Sequence, residues 1–188
     1  MRFRFDHFDW IAPIYDRIIP RAQIETLIQY GKFPTEGRVL EVGGGTGRIV
    51  QEMNQIQTQI FVLDSSLGML RVAQSKLAVN LVLGMAEHLP FAEESFERVI
   101  LIDTLHHVVD AHQTLSECLR VLRKDGLLLI QEPDIHQWGG KLICALEKLL
   151  LMRSRLLSTD EINSMLSPLA SEVTVYLGQH QYWIICRK

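Results

Sequence analysis

Three kinds of residue in this sequence could do chemistry: a run of glycines, acids that close apolar runs, and a pair of adjacent histidines. The glycines lie in VLEVGGGTGR, Val39 to Arg48, where an apolar run carrying Glu41 stops at Gly43, Gly44 and Gly45, then Thr46, Gly47 and Arg48. Bare backbone at a strand end permits a tight turn and close approach of a ligand to a helix N-terminus. A dinucleotide fingerprint asks for G-x-G-x-x-G. Here the sixth position from Gly43 is Arg48, and the pattern is G-x-G-x-G. A carboxylate such as Glu41 at the strand end repels a pyrophosphate; it suits a ligand carrying an ammonium or a sulfonium, directly or through water. Asp64 closes the next apolar run, seventeen residues beyond Gly47. An acid there can bridge the two hydroxyls of a ribose, near the ~20-residue interval of nucleotide-binding folds. Asp64 points to an adenosine-bearing ligand without choosing among them. Its plainer reading, a cap for the following helix, is weakened by Ser65 and Ser66, which are better placed.

These residues need elements to position them, and the chain supplies an alternation. Val39–Val42, Gln59–Leu63, Asn80–Leu83, Arg98–Ile102 and 127–131 read as strands. Helical patterns separate them: Thr46–Met53, then a helix capped by Ser65 or Ser66 with Leu67, Leu70, Ala73 and Leu77 on one face. In a third, Leu115, Cys118, Leu119 and Leu122 recur at helical spacing, and Arg123-Lys124 suit a helix C-terminus before an Asp125-Gly126 turn. Solid apolar strands between helices imply a parallel sheet covered on both faces. Val173, Val175 and Leu177 alternate with polar residues before Gly178 and QYWIIC at 181–186, a terminal antiparallel β-hairpin. The fold class is therefore α/β: a Rossmann-like, doubly wound, mostly parallel seven-stranded sheet ending in an antiparallel hairpin. The organisation read from this is one domain over 1–188: an N-terminal cap (1–36), a binding core (37–132), a cover (133–158), and a C-terminal helix and hairpin (159–188). Residues 1–36 carry Phe5, Phe8, Trp10 and Tyr15. The cover opens with PDIHQWGG and continues with a leucine face at 142–150. Both segments are candidates to lie over the carboxyl edge of the sheet, where open α/β folds bind ligands.

Composition narrows the partners. The 188 residues carry a net charge of -3, with 47% hydrophobic and 22% charged residues, an ordinary globular mix. No basic patch points to nucleic acid. Cys118, Cys144 and Cys186 are far apart, odd in number and outside any metal-ligand pattern, so no metal site is expected. The N-terminus has no apolar signal region, and Leu142–Leu157 is too polar and too short to span a bilayer. A cytoplasmic location is expected.

Five ordered stretches then carry a resemblance: VLEVGGGTGR, VLDSSLGML at 62–70, GMAEHLPF at 84–91, FERVILIDTLHHV at 96–108 and VLRKDGLLLI at 121–130. Together with APIYD at 12–16, they resemble class I S-adenosylmethionine-dependent methyltransferases of the ubiquinone/menaquinone-biosynthesis type. The resemblance implies S-adenosylmethionine as cofactor and S-adenosylhomocysteine as product. It implies that Gly43, Gly44, Gly45 and Gly47 pass under the methionine part, with Glu41 suited to its ammonium and Asp64 on the ribose. Ser65 and Met69 would lie near the adenosine. Met85 and Ala86 would flank the adenine with Glu87 nearby, although core filling is a serious rival reading for Met85. Leu101, Asp103 and Thr104 would face the methionine moiety, and Tyr15 would reach over from the N-terminal segment.

Methyl transfer from a sulfonium is an in-line displacement whose leaving group needs no acid, so the protein mainly aligns the reactants in a dry site. A base is required only where the acceptor must lose a proton. The local candidates are His106 and His107, which titrate in the right range. His107 is the better placed to face the site, and His106 reads slightly better as packed beneath the following helix. His136 and Trp138 are candidates for the acceptor side. The apolar, aromatic cover favours a small hydrophobic or aromatic acceptor, and a second subunit could complete the pocket as a homodimer. Two other readings compete. One is a noncatalytic S-adenosylmethionine-binding or partner-activating subunit. The other, ranked well below, is an NAD-dependent oxidoreductase.

Overall fold

A computed structural model describes residues 7–18, 23–53, 59–134 and 155–188. Two short helices, α1 (His7–Ile11) and α2 (Tyr15–Ile18), precede α3 (Ile24–Gly31). The core follows as β1 (Val39–Val42), α4 (Arg48–Glu52), β2 (Ile60–Asp64), α5 (Leu67–Lys76), β3 (Asn80–Leu83) and β4 (Phe96–Ile102). A single 3-10 turn (Leu105–His107) leads to α6 (Ala111–Val121), β5 (Leu122–Pro133), α7 (Thr159–Leu166), β6 (Glu172–Leu177) and β7 (Gln181–Arg187).

The strand order is β3-β2-β1-β4-β5-β7-β6. Strands β1 to β5 run parallel, and β7 runs antiparallel to both β5 and β6, so the doubly wound sheet and its terminal hairpin are as expected. The chain winds outward from β1 to β3, then returns to β4 on the other flank of β1. That reversal opens a crevice at the carboxyl ends of β1 and β4.

The period of two along each strand splits the core into two layers. Leu40, Val42, Val99, Leu101, Leu128 and Ile130 pack on one face against Leu115, Cys118 and Leu119 of α6 and Ile162 and Leu166 of α7. Val39, Ile100, Ile102, Leu127 and Leu129 pack on the other against Leu27, Ile49, Val50 and Leu70 from α3, α4 and α5. Both faces are covered, which is why these strands read as solid apolar runs. Burial keeps Cys118 and Cys186 protonated, the latter with its thiol pushed up to about 12.

Several expected boundaries move. Helix α6 ends at Val121, because Leu122 is already extended and pairs with Phe96. Arg123 and Lys124 thus lie beyond the helix, and Arg120 is the cation of its last turn. The expected Asp125-Gly126 turn is an irregularity inside β5: Asp125 has φ +63, and the register slips between Phe96 and Arg98. Helix α4 begins at Arg48 rather than Thr46, with Gly47 as its left-handed N-cap. The segment with Ile135, His136, Trp138, Cys144 and the leucine face at 142–150 lies outside the described residues, as does Phe5. Among the described residues, no helix is long and apolar enough to cross a membrane.

Candidate active site

The crevice between β1 and β4 holds a cleft of about 660 Å³, measured out to its open mouth. Residues far apart in sequence line it: Phe8, Tyr15, Gly43, Gly45, Leu63 to Ser65, Met69, Gly84 to Glu87, Asp103, Thr104, His107 and Val108.

The floor is the turn after β1. Gly45 sits at φ +55, and a Cβ there would reach no atom nearer than 3.9 Å, so its bare backbone faces open space. Gly43 is bare for a different reason: a Cβ would fall 2.3 Å from the Thr104 methyl. Asp64, at the end of β2, secures this turn. Its Oδ2 accepts the Gly45 N–H at 2.8 Å, and its Oδ1 accepts the Ser66 N–H at 2.7 Å. Ser66 itself caps α5 by accepting the Met69 N–H. Asp64 thus braces the turn and also lines the cleft.

Glu41 lies against the loop backbone at Gly44, where a Cβ would be 2.8 Å from its carboxylate, and it does not line the cleft. It is 2% exposed, and its Oε2 has no hydrogen-bond partner among the described residues. Burial pushes its carboxyl up to about 8; Arg48 pulls against this and Asp64 adds to it. A buried acid with an unpartnered oxygen, packed behind the glycine turn, is costly to ionise unless a positive charge comes near it.

The second wall follows β3. Met85 is 48% exposed at the cleft, so it does not fill core. Ala86 is half-buried beside it. Glu87 is buried, and its Oε1 accepts the Val109 N–H at 2.8 Å, which pins the loop carrying Val108.

The third wall follows β4. Asp103 adopts a left-handed conformation, φ +51, uncommon for a residue with a side chain. Its Oδ2 pairs with Arg48 at 2.9 Å, and its Oδ1 accepts from Gln131 at 3.1 Å. Burial, then the nearby Glu132, raise its carboxyl, while Arg48 opposes them. Leu101 belongs to the α6 face of the sheet, and its side chain does not reach the cleft. Gly44 and Gly47 do not line it either, although both shape the turn.

The two histidines separate by depth. His106 is buried, and its Nδ1 bonds Glu132 Oε2. Glu132 Oε1 also accepts the Thr104 and Leu105 N–H groups, at 3.0 and 2.7 Å. This buried acid therefore organises the whole turn. His107 faces the cleft, its ring 3.9 Å from that of His106 and 5.2 Å, edge to face, from Phe8. Sequence reasoning missed Glu132; Phe8, expected as part of an aromatic cover over this edge, does line the cleft. The signal for the former was a lone charge directly after the LLLIQ run, in a strand otherwise buried on both faces.

A crevice at the switch point of a doubly wound sheet, with a glycine floor and an acid at the second strand end, defines an adenosine-binding α/β protein. A methyltransferase-domain profile matches residues 40–130. The chain is 32% identical over 142 residues to a ubiquinone/menaquinone biosynthesis C-methyltransferase of Geotalea daltonii, covering 66% of this chain and 60% of that protein. It is 36% identical over 100 residues to a demethylmenaquinone methyltransferase of Thermobifida fusca, covering 50% of this chain and 42% of that one. A solved S-adenosylmethionine-dependent methyltransferase of Thermotoga maritima superposes with a TM-score of 0.79 over 97% of this chain and 98% of its own, at 24% identity. The chain spans about half the length of the curated relatives it matches. Together these likenesses support a class I S-adenosylmethionine-dependent methyltransferase similar to the ubiquinone/menaquinone-biosynthesis type. The matches are to methyltransferases and give the NAD-dependent oxidoreductase reading no support.

Proposed function

We propose that this chain transfers a methyl group from S-adenosylmethionine to a small, hydrophobic or aromatic acceptor by in-line displacement. One observation supports the reading above the others. The glycine and acid surfaces suited to the cofactor share a single cleft with the aromatic and apolar surface of Phe8, Tyr15 and Val108. The cofactor supplies an electrophilic methyl group on a sulfonium. Glu41 suits its ammonium, Asp64 its ribose, and Met85 and Ala86 a flat base. Ser65 and Met69 extend the adenosine side; Asp103 and Thr104 the methionine side. Phe8 and Tyr15 exclude water and align an apolar acceptor. His107 takes the acceptor's proton where one must leave, with its turn held by Glu132 through His106.

The first experiment is isothermal titration with S-adenosylhomocysteine, with NAD as control, followed by radiolabelled methyl transfer to an acceptor panel. Phenolic and quinol-like acceptors head the panel, because relatives are named for ubiquinone/menaquinone biosynthesis. Micromolar binding of S-adenosylhomocysteine and not of NAD, with turnover on an aromatic acceptor, supports the proposal. Binding without turnover on the panel favours the noncatalytic, partner-activating reading. Binding of neither ligand refutes the cofactor assignment.

A further inference from the structure

Two aspartates outside the cleft each follow directly after an aromatic residue that lines it: Asp9 after Phe8, and Asp16 after Tyr15. Both reach across to the binding core. Asp9 Oδ1 accepts the Ser66 hydroxyl at 2.6 Å and the Gly68 N–H at 2.7 Å. Asp16 accepts the Thr46 hydroxyl of the glycine turn with one oxygen and the Lys76 ammonium with the other. The N-terminal strap is thus tied to the glycine turn and to both ends of α5.

Helix α5 is built to receive it. Gly68 is its second residue, and glycine is among the poorest helix formers. Its backbone conformation does not call for glycine, since it is absent from the positive-φ residues. Its surroundings do: a Cβ would lie 2.8 Å from Asp9 Cα and 3.1 Å from the Asp9 carbonyl oxygen, backbone atoms that cannot rotate aside.

We propose that Asp9 and Asp16 are positioning residues that hold Phe8 and Tyr15 on the cleft, that Gly68 is the seat on which the strap closes, and that the cofactor leaves when the strap lifts. The last clause rests on the methyl-transfer reading above. Gly68→Ala separates this from a plain structural role. Helix propensity alone predicts a more stable protein with unchanged ligand kinetics. Displacement of the strap predicts roughly tenfold faster release of S-adenosylhomocysteine, the scale of one lost charge-assisted hydrogen bond. It also predicts faster amide exchange over residues 7–18, with or without ligand. Asp9→Ala should act alike, and Asp9→Asn, which keeps the Oδ1 acceptor, should restore wild-type behaviour. Unchanged exchange over 7–18 and unchanged release in both Gly68→Ala and Asp9→Ala would overturn the proposal. Should the wild-type protein bind no S-adenosylhomocysteine, the methyl-transfer reading falls, and amide exchange alone still decides whether these residues seat the strap.

Discussion

Replacing Glu41 with glutamine keeps the shape of the buried side chain and removes its ability to ionise. Burial places the Glu41 carboxyl at about 8, with Arg48 opposing and Asp64 reinforcing that shift. At pH 7 it is therefore mostly protonated. A ligand ammonium near the glycine turn favours the carboxylate, so binding expels a proton. The apparent affinity for S-adenosylhomocysteine should rise with pH, by up to about tenfold per unit, or ~1.4 kcal/mol, until it levels near pH 8. In Glu41→Gln that component vanishes, and affinity settles near the wild-type value at low pH. Titration at pH 6 to 9, in two buffers of different ionisation enthalpy, reads both affinity and proton release. The ligand's own amino group titrates alike against both proteins, so their difference isolates Glu41. Stability carries the matching sign. A carboxyl raised from 4.5 to about 8 on folding contributes stability that is complete below pH ~4.5 and lost as pH rises through 8. The glutamine variant should therefore melt above the wild type at pH 8 to 9, with the gap closing towards pH 5. Parallel pH profiles of affinity in the two proteins would refute the assignment of Glu41 to a cationic ligand group.

Other outcomes follow from the same geometry. Gly45→Val forces a β-branched side chain to φ +55 and into the cleft, so S-adenosylhomocysteine binding by calorimetry should fall at least about tenfold. Asp64→Ala orphans the Gly45 and Ser66 N–H groups, at about 1–3 kcal/mol each if buried; titration should show lost binding and denaturant melts lost stability. Glu132→Ala leaves the Thr104 and Leu105 N–H groups and His106 without their acceptor. Denaturant unfolding should show a loss on the order of 3–5 kcal/mol. His107→Ala should keep cofactor affinity and lose turnover on acceptors that must shed a proton, by about 10²–10⁴-fold. A thiolate acceptor, having none to lose, should be spared, and equal loss on both acceptors in a methyl-transfer assay would count against the role.

Much of this molecule was legible in its sequence because the relevant forces are local. Strands buried on both faces carry apolar residues on both, so 39–42, interrupted only by Glu41, and 99–102 show up without alternation. The glycines at 43, 45 and 47 follow from backbone at positive φ, which the chain can supply only by its choice of residue. The end of α6 was misjudged because Arg123-Lys124 make good local C-terminal residues, while Leu122 answers to a nonlocal partner, Phe96. Neighbouring positions were hardest to separate. Leu101 lies in β4 and Asp103 just past its end at the same parity, yet one joins the α6 core and the other reaches the cleft, because Asp103 has left the strand in a left-handed conformation. His106 and His107 are adjacent, and only the arrival of Glu132, from the far end of β5, draws one inward and leaves the other facing the cleft. The strap's seat on α5 joins residues nearly sixty positions apart, so no local pattern could reveal why residue 68 is a glycine. Periodicity and backbone propensity act within a turn or a strand, and the sequence records them directly. Pairings across such distances exist only once the sheet has brought the partners together.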